Sequence, residues 1–150
     1  MQDILFILPF ILGAVAVLQG ALNRVVAQSW GLTPTIVLNN FVIITMGFLF
    51  YISVKFYPQF FPDNFRDKAG FTSFSWYYLL PGLCGLALVA GIPFAIGQIG
   101  AANVFIGIVC AQMITSLIWD QLKEGIALSW PRLLGAILTI VGVFVSRIKS

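Results

Sequence analysis

The sequence predicts an all-α integral membrane protein with five transmembrane helices, because it is rich in apolar residues, poor in charges and strongly hydropathic. Hydrophobic residues make up 60% of the 150-residue chain, only 9% of the residues are charged, and the mean hydropathy is +1.01. A soluble domain carries about a quarter charged residues. The composition therefore excludes a soluble enzyme, a nucleic-acid-binding protein and a disordered chain.

Neither a catalytic site nor a cofactor or metal site is expected from the residue types. The chain has no histidine, and its two cysteines, Cys84 and Cys110, lie in apolar stretches where packing is their expected role. The sequence contains no recognisable nucleophile–base pair, metal-ligand spacing or phosphate-binding loop. We therefore expect a non-enzyme whose surroundings are the lipid bilayer.

Five apolar stretches are long enough to cross a bilayer, whose hydrocarbon core of about 30 Å needs about 20 helical residues. They cover residues 4–23, 35–56, 76–97, 104–122 and 130–146 and would form a single domain over 1–150. No basic residue precedes the first stretch, and its apolar run continues beyond a possible cleavage site near Ala16. We expect it to be retained as a helix and not removed as a signal peptide.

The first two spans carry polar side chains within their apolar runs. Gln19 and Asn23 lie four residues apart on the first span, and Asn39 and Asn40 lie early in the second.

The link that follows the second span, 57–75, is rich in aromatic residues and holds two prolines and several charges. It is typical of an interfacial segment at the headgroups, with a substrate lid as the alternative.

The third span contains Pro93 between Gly91 and Gly97, so we expect a kink or a break in this helix near its end. Transporter binding sites are often built from interrupted helices, although one proline is also compatible with a plain structural kink. The link to the fourth span, 98–103, is short and uncharged and predicts a tight antiparallel hairpin.

The last two spans carry a polar stripe and a small-residue stripe. Gln112, Ser116 and Asp120 follow one another at four-residue intervals on the fourth span. The fifth span carries small residues at a spacing of four, three and four, which predicts a face for close helix packing and dimerisation. These residues are Gly135, Thr139, Gly142 and Ser146.

Polar side chains inside a membrane are costly, so those present are candidates for function. We expect a substrate-binding cavity that offers neutral donors and acceptors, lined by Gln19, Asn23, Asn39, Gln112 and Ser116. The alternative for each of them is a hydrogen bond between helices. Asp120 is the one candidate for a coupling carboxylate, but its position near the span end favours an ion pair.

The chain resembles the YdcZ-type family of small, single-unit proteins within the drug/metabolite transporter superfamily. Three segments carry the likeness: QGALN at 19–23, AQMITSLIWD at 111–120, and RLLG at 132–135 with VGV at 141–143. Ala111 and the long aromatic link 57–75 depart from the family pattern. The resemblance implies a five-helix half of a ten-helix inverted-repeat bundle in the bacterial cytoplasmic (inner) membrane.

The resemblance also implies a partner, either an antiparallel second copy or a close homologue. The expected function is a transporter subunit that moves a small polar or amphipathic solute by alternating access. The rival is a non-transporting scaffold or regulatory subunit of a partner complex. The face of the N-terminus would carry five basic residues and the other face three, a bias small enough to predict dual topology and an antiparallel homodimer.

Overall fold

The computed structural model describes residues 2–66, 74–127 and 129–147, and within these ranges the chain is helical and has no strand. Part of the predicted interfacial link, 67–73, lies outside the described residues, as does the C-terminal end at 148–150. Short 3-10 helices at Pro58–Phe60, Asp63–Phe65 and Trp76–Leu79 lie between the second and third α-helices. The five α-helices are Gln2–Trp30 (α1), Leu32–Phe56 (α2), Leu80–Ile99 (α3), Ala101–Leu122 (α4) and Trp130–Arg147 (α5).

Among the described residues, four helical stretches are long and apolar enough to cross a membrane: Ile7–Trp30, Leu32–Phe56, Trp76–Ile99 and Ala101–Leu122. The prediction of an all-α membrane protein is therefore confirmed. Helix α5 has 18 residues, and the described part of its apolar stretch covers Trp130–Gly142, so a fifth crossing stays a prediction. Large apolar side chains such as Phe10 (79% exposed) and Ile44 (70%) lie on the outside, as expected where lipid is the solvent.

The chain divides into two compact units, Met1–Phe94 and Ala95–Ser150. In the first unit α1 packs on α2, and Thr35 at the start of α2 is almost completely buried. In the second unit α4 packs on α5, and Val104 and Ala136 are the buried apolar residues in its described part. Each unit therefore has its own pair of packed helices.

Single glycines connect α1 to α2 and α3 to α4. Gly31 has φ 88° and ψ 161°, and Gly100 has φ 79° and ψ 156°. This region of backbone conformation is essentially restricted to glycine. Each glycine N–H closes the preceding helix, on Ala27 O at 2.9 Å and on Ile96 O at 3.0 Å. The two links are thus much shorter than the links predicted from the apolar stretches, which covered 24–34 and 98–103.

Helix α3 stays helical through Pro93, so the predicted break between Gly91 and Gly97 is not present. Proline removes one backbone donor but does not by itself end a helix when the surrounding turns keep their hydrogen bonds. Pro93 is fully buried in this helix. A kink without loss of the helix stays a prediction.

Candidate functional site

The clearest polar contact in the first unit joins Asn23 of α1 to Asn39 of α2. The Nδ2 of Asn39 donates a hydrogen bond to Oδ1 of Asn23 at 3.2 Å, and both residues are half-buried. Their placement follows from the link, because both lie eight residues from Gly31 in opposite directions. A one-residue connection between two antiparallel helices brings residues at equal distances from it to the same level. The fold thus pairs two of the five predicted substrate-binding residues.

This pair leaves one acceptor without a partner. Oδ1 of Asn39 is buried and has no hydrogen bond to any residue in the described part of the chain. A buried amide oxygen without a donor is costly, about 1–3 kcal/mol. Such an atom needs a donor that the described residues do not supply, and a water molecule or the N–H or O–H group of a solute could provide it. The arrangement can therefore accept a hydrogen bond from a polar ligand.

The polar residues near the Asn23–Asn39 pair differ in their hydrogen bonds and in their exposure. Asn40 donates from Nδ2 to Ile36 O in its own helix at 2.8 Å, which is a local role. Gln19 lies one turn before Asn23 on α1 and is exposed. Thr35 donates from its hydroxyl to Gly31 O at 2.8 Å, which reinforces the link that aligns the two helices. Asn23 and Asn39 are therefore the centre of the candidate site in this unit.

In the second unit, the polar stripe of α4 is present but outward-facing. Gln112 and Ser116 are both exposed, and Ser116 donates from Oγ to Met113 O in the same helix at 2.9 Å. A common cavity that combines these residues with Asn23 and Asn39 stays a prediction. The exposed stripe is available for contacts beyond this chain.

Asp120 forms an ion pair with Arg132, with 3.4 Å between Oδ2 and Nη1. Their side chains are 36% and 45% exposed, so this pair lies at the accessible end of the α4–α5 hairpin. The contact is the ion-pair role that the sequence favoured for Asp120. A role in coupling has no support from this geometry.

The small-residue stripe of α5 partly packs within its own chain. Gly135 lies beside α4, where an added Cβ would be 3.9 Å from Cε of Met113. Thr139 and Gly142 instead line an open apolar groove of about 340 Å³ together with Phe105, Ile106 and Val109 of α4. Gly135 therefore lies close to α4 of its own chain, and a dimer contact of Gly135, Thr139 and Gly142 stays a prediction. The side chain of Ser146 lies outside the described residues.

Two basic residues that entered the sequence analysis only in the count that predicts membrane orientation line a common pocket. Lys55 at the end of α2 and Arg66 in the following loop surround a space of about 180 Å³ with Tyr51, Val54 and Pro58. The sequence signal for this closeness was the pair of prolines, Pro58 and Pro62, which turn the chain back after α2. Within the described ranges, no three acidic or cysteine residues come together as metal ligands.

One comparison with known proteins gives a match. The family model described as "Putative inner membrane exporter, YdcZ" matches residues 4–145, which is nearly the whole chain. No curated protein and no solved structure matches the chain. The match covers both units and all the residues of the candidate site.

Proposed function

This chain belongs to the YdcZ inner membrane exporter family, and from that premise we propose that it is a transport subunit for a small polar or amphipathic solute. The membrane would be the bacterial cytoplasmic membrane, which the chain crosses several times. Export by alternating access requires a polar site within the apolar helices that a solute can reach from either side.

The observation that carries this proposal is the unpartnered acceptor at the Asn23–Asn39 pair. Two amides inside apolar helices are costly to place in a membrane, and polar residues there are a functional hypothesis by default. A helix-bonding role would be complete with the 3.2 Å hydrogen bond alone. The additional buried oxygen favours a site that binds a donor group of the solute.

The proposed transporter contains two chains in antiparallel orientation. Four long apolar helices with mostly exposed side chains offer a large surface for a second copy. The exposed stripe of Gln112 and Ser116 would face the shared cavity in that assembly. A close homologue of opposite orientation is the alternative partner.

A ligand screen tests the function directly. The purified protein would be heated in detergent with small polar and amphipathic compounds, since a ligand that binds the folded state raises its apparent stability. Compounds that stabilise the protein would then be tested for transport in proteoliposomes. We expect Asn39→Leu to abolish both responses and Asn40→Leu, which changes the neighbouring amide, to keep them.

The rival function is a non-transporting subunit that stabilises a partner complex. Two features favoured a transporter over a scaffold: an interrupted third helix and polar residues within the spans. Helix α3 is continuous, so the polar Asn23–Asn39 pair is the feature that remains. Two results together would favour the scaffold. No compound would raise the unfolding temperature, and the variants would show unchanged binding and transport phenotypes: Asn23→Ala, Asn39→Leu and Gln112→Ala.

A further inference from the structure

The loop after α2 folds back on the end of that helix. Phe61 and Phe65 both contact the ring of Phe50 edge-on, with ring centroids 5.5 and 5.7 Å apart. Such edge-to-face aromatic contacts stabilise a defined arrangement of the rings. They hold the loop beside the last two turns of α2, where Lys55 lies.

The same loop fixes the guanidinium of Arg66. Its Nη2 donates to Pro58 O at 3.2 Å, and its Nη1 forms an ion pair with Oδ1 of Asp63 at 2.8 Å. A guanidinium has five N–H donors in a planar fork, so two contacts leave further donors. Asp63 is 86% exposed and does not line the pocket, so the acidic partner lies to one side of it.

The pocket therefore presents two cations on an apolar base. Lys55 and Arg66 line it together with Tyr51 and Pro58, and Val54 below is only 7% exposed. The Nζ of Lys55 lies 5.9 Å from the ring centroid of Tyr51, which is cation–π range. A fork-shaped guanidinium beside an ammonium is suited to the oxygens of a phosphate group.

The surroundings identify which phosphate this pocket would meet. Exposed aromatic side chains lie on both sides of the loop, as in the belts that mark membrane–water interfaces. They include Phe56, Tyr57, Phe60, Trp76 and Tyr77. Basic pockets at the ends of membrane helices bind the headgroups of anionic lipids.

We propose that Lys55 and Arg66 form a binding site for the phosphate of an anionic lipid headgroup at the membrane surface. This site lies at the end of α2, apart from the Asn23–Asn39 pair in the same helix hairpin, and it does not depend on transport. The bound lipid would hold the loop after α2 against that helix.

The test uses the full-length protein purified in an uncharged detergent. Phosphatidylglycerol is titrated while the unfolding temperature is recorded, with phosphatidylcholine of the same acyl chains and inorganic phosphate in parallel titrations. We expect a saturable rise in unfolding temperature with phosphatidylglycerol only. Lys55→Gln should weaken the apparent affinity about fivefold, as expected for one cation near an anionic headgroup.

The variants are chosen so that folding and charge are separated. Lys55 carries the test because Arg66 also holds the loop through Pro58 and Asp63. Lys55→Arg keeps the charge and should retain the response. Lys123→Gln removes the same charge from an exposed residue outside the pocket and should leave the affinity unchanged.

Three results would overturn the proposal. An equal shift with phosphatidylcholine would show that the response is to lipid in general. An equal loss in Lys55→Gln and Lys123→Gln would show that net charge, and not the pocket, attracts the lipid. A saturable response to inorganic phosphate at the same concentration as phosphatidylglycerol would assign the pocket to a soluble anion instead of a lipid.

Discussion

Asn23 and Asn39 form a contact that leaves one hydrogen-bond acceptor unsatisfied among the described residues. The donor of Asn39 is used by Asn23, but its buried oxygen has no partner in the described residues. Removing one member of a buried pair leaves unpaired groups, whereas replacing both by apolar residues can be neutral or stabilising. The pair therefore offers a way to separate stability from function at single residues.

We expect Asn23→Leu to destabilise the protein by about 1–3 kcal/mol, because it leaves the amide of Asn39 without its acceptor. The double variant Asn23→Leu/Asn39→Leu should recover most of that loss and still fail to bind or transport solute. Reversible unfolding in mixed micelles, combined as a double-mutant cycle, measures both effects. Asn40→Leu is the control, since that amide bonds only to its own helix. A double variant that is less stable than Asn23→Leu would show that the pair exists for stability.

At the scale of the elements, the two glycine links decide where the helices end. Gly31 and Gly100 share a backbone conformation that an L-residue adopts only at a cost of about 1–3 kcal/mol. We therefore expect Gly31→Ala and Gly100→Ala each to lower the free energy of unfolding by that amount. Gly13→Ala is the matched control, because this glycine lies inside α1 with nothing within 4 Å of an added Cβ.

Equal stabilities for the three alanine variants would contradict this assignment of the links. Alanine at Gly13 should be neutral or stabilise α1 by up to about 1 kcal/mol, as in other helices. The comparison is informative because the same methyl group is added in all three proteins. Only its effect on backbone conformation differs.

The α4–α5 pair gives a second prediction at this scale. Gly135 lies against Met113, whereas Gly142 borders the open groove. Leucine at Gly135 adds three carbons beyond a Cβ that would already be 3.9 Å from the end of the Met113 side chain, so we expect it to crowd α4 and to destabilise the chain by about 1–3 kcal/mol. Leucine at Gly142 enters open space and should leave monomer stability unchanged while weakening dimerisation, if the groove binds a second copy. Unfolding and cross-linking of the two variants in detergent distinguish these effects.

The helices themselves could be predicted from the sequence, but the pairing between them could not. Apolar runs of about 20 residues are sufficient to identify membrane helices. Their ends were missed because polar residues such as Arg24 and Gln28 end an apolar run without ending a helix, which in α1 continues to Trp30. A link of 11 residues, as expected at 24–34, leaves the register of α1 and α2 open. The single residue Gly31 fixes it.

The remaining differences have similar causes. A proline such as Pro93 predicts a break in a helix, yet α3 continues through it. The helix is continuous because the turns before and after the proline keep their backbone hydrogen bonds. The two prolines after α2 predict a turn there. They do not predict the contacts of Phe61 and Phe65 with Phe50, which help to bring Lys55 and Arg66 together. Asp120 and Arg132 belong to different helices, and only the α4–α5 hairpin brings them together.

At the scale of the whole molecule, the proposed antiparallel dimer requires that chains insert in both orientations. Helix α2 of 25 residues would be about 37 Å long, which exceeds the hydrocarbon core of about 30 Å. In a membrane-spanning α2, the two ends would lie on opposite sides of the membrane. Single cysteines at Gln59 and Ser29, both exposed and flanking this helix, report the orientation in a Cys84→Ala, Cys110→Ala background.

We expect each of these two cysteines to be labelled partly from outside intact cells and partly only after permeabilisation. The sequence-based count of basic residues, five against three, is too even to impose one orientation. Labelling of one site only from outside and of the other only after permeabilisation would exclude the homodimer of dual topology. A partner of opposite and fixed orientation would then be required.

The one-residue connection at Gly31 also bears on how the chain enters the bilayer during synthesis. The tip of the α1–α2 hairpin, residues 28–33, carries no ionised side chain, and the closest one is Arg24 in α1. Carrying this tip through hydrocarbon therefore requires no transfer of a charged loop, which is the main barrier to translocation. Once α2 has left the ribosome, the two helices can enter the membrane together as one folded hairpin. Its uncharged tip can then lie on either side of the membrane.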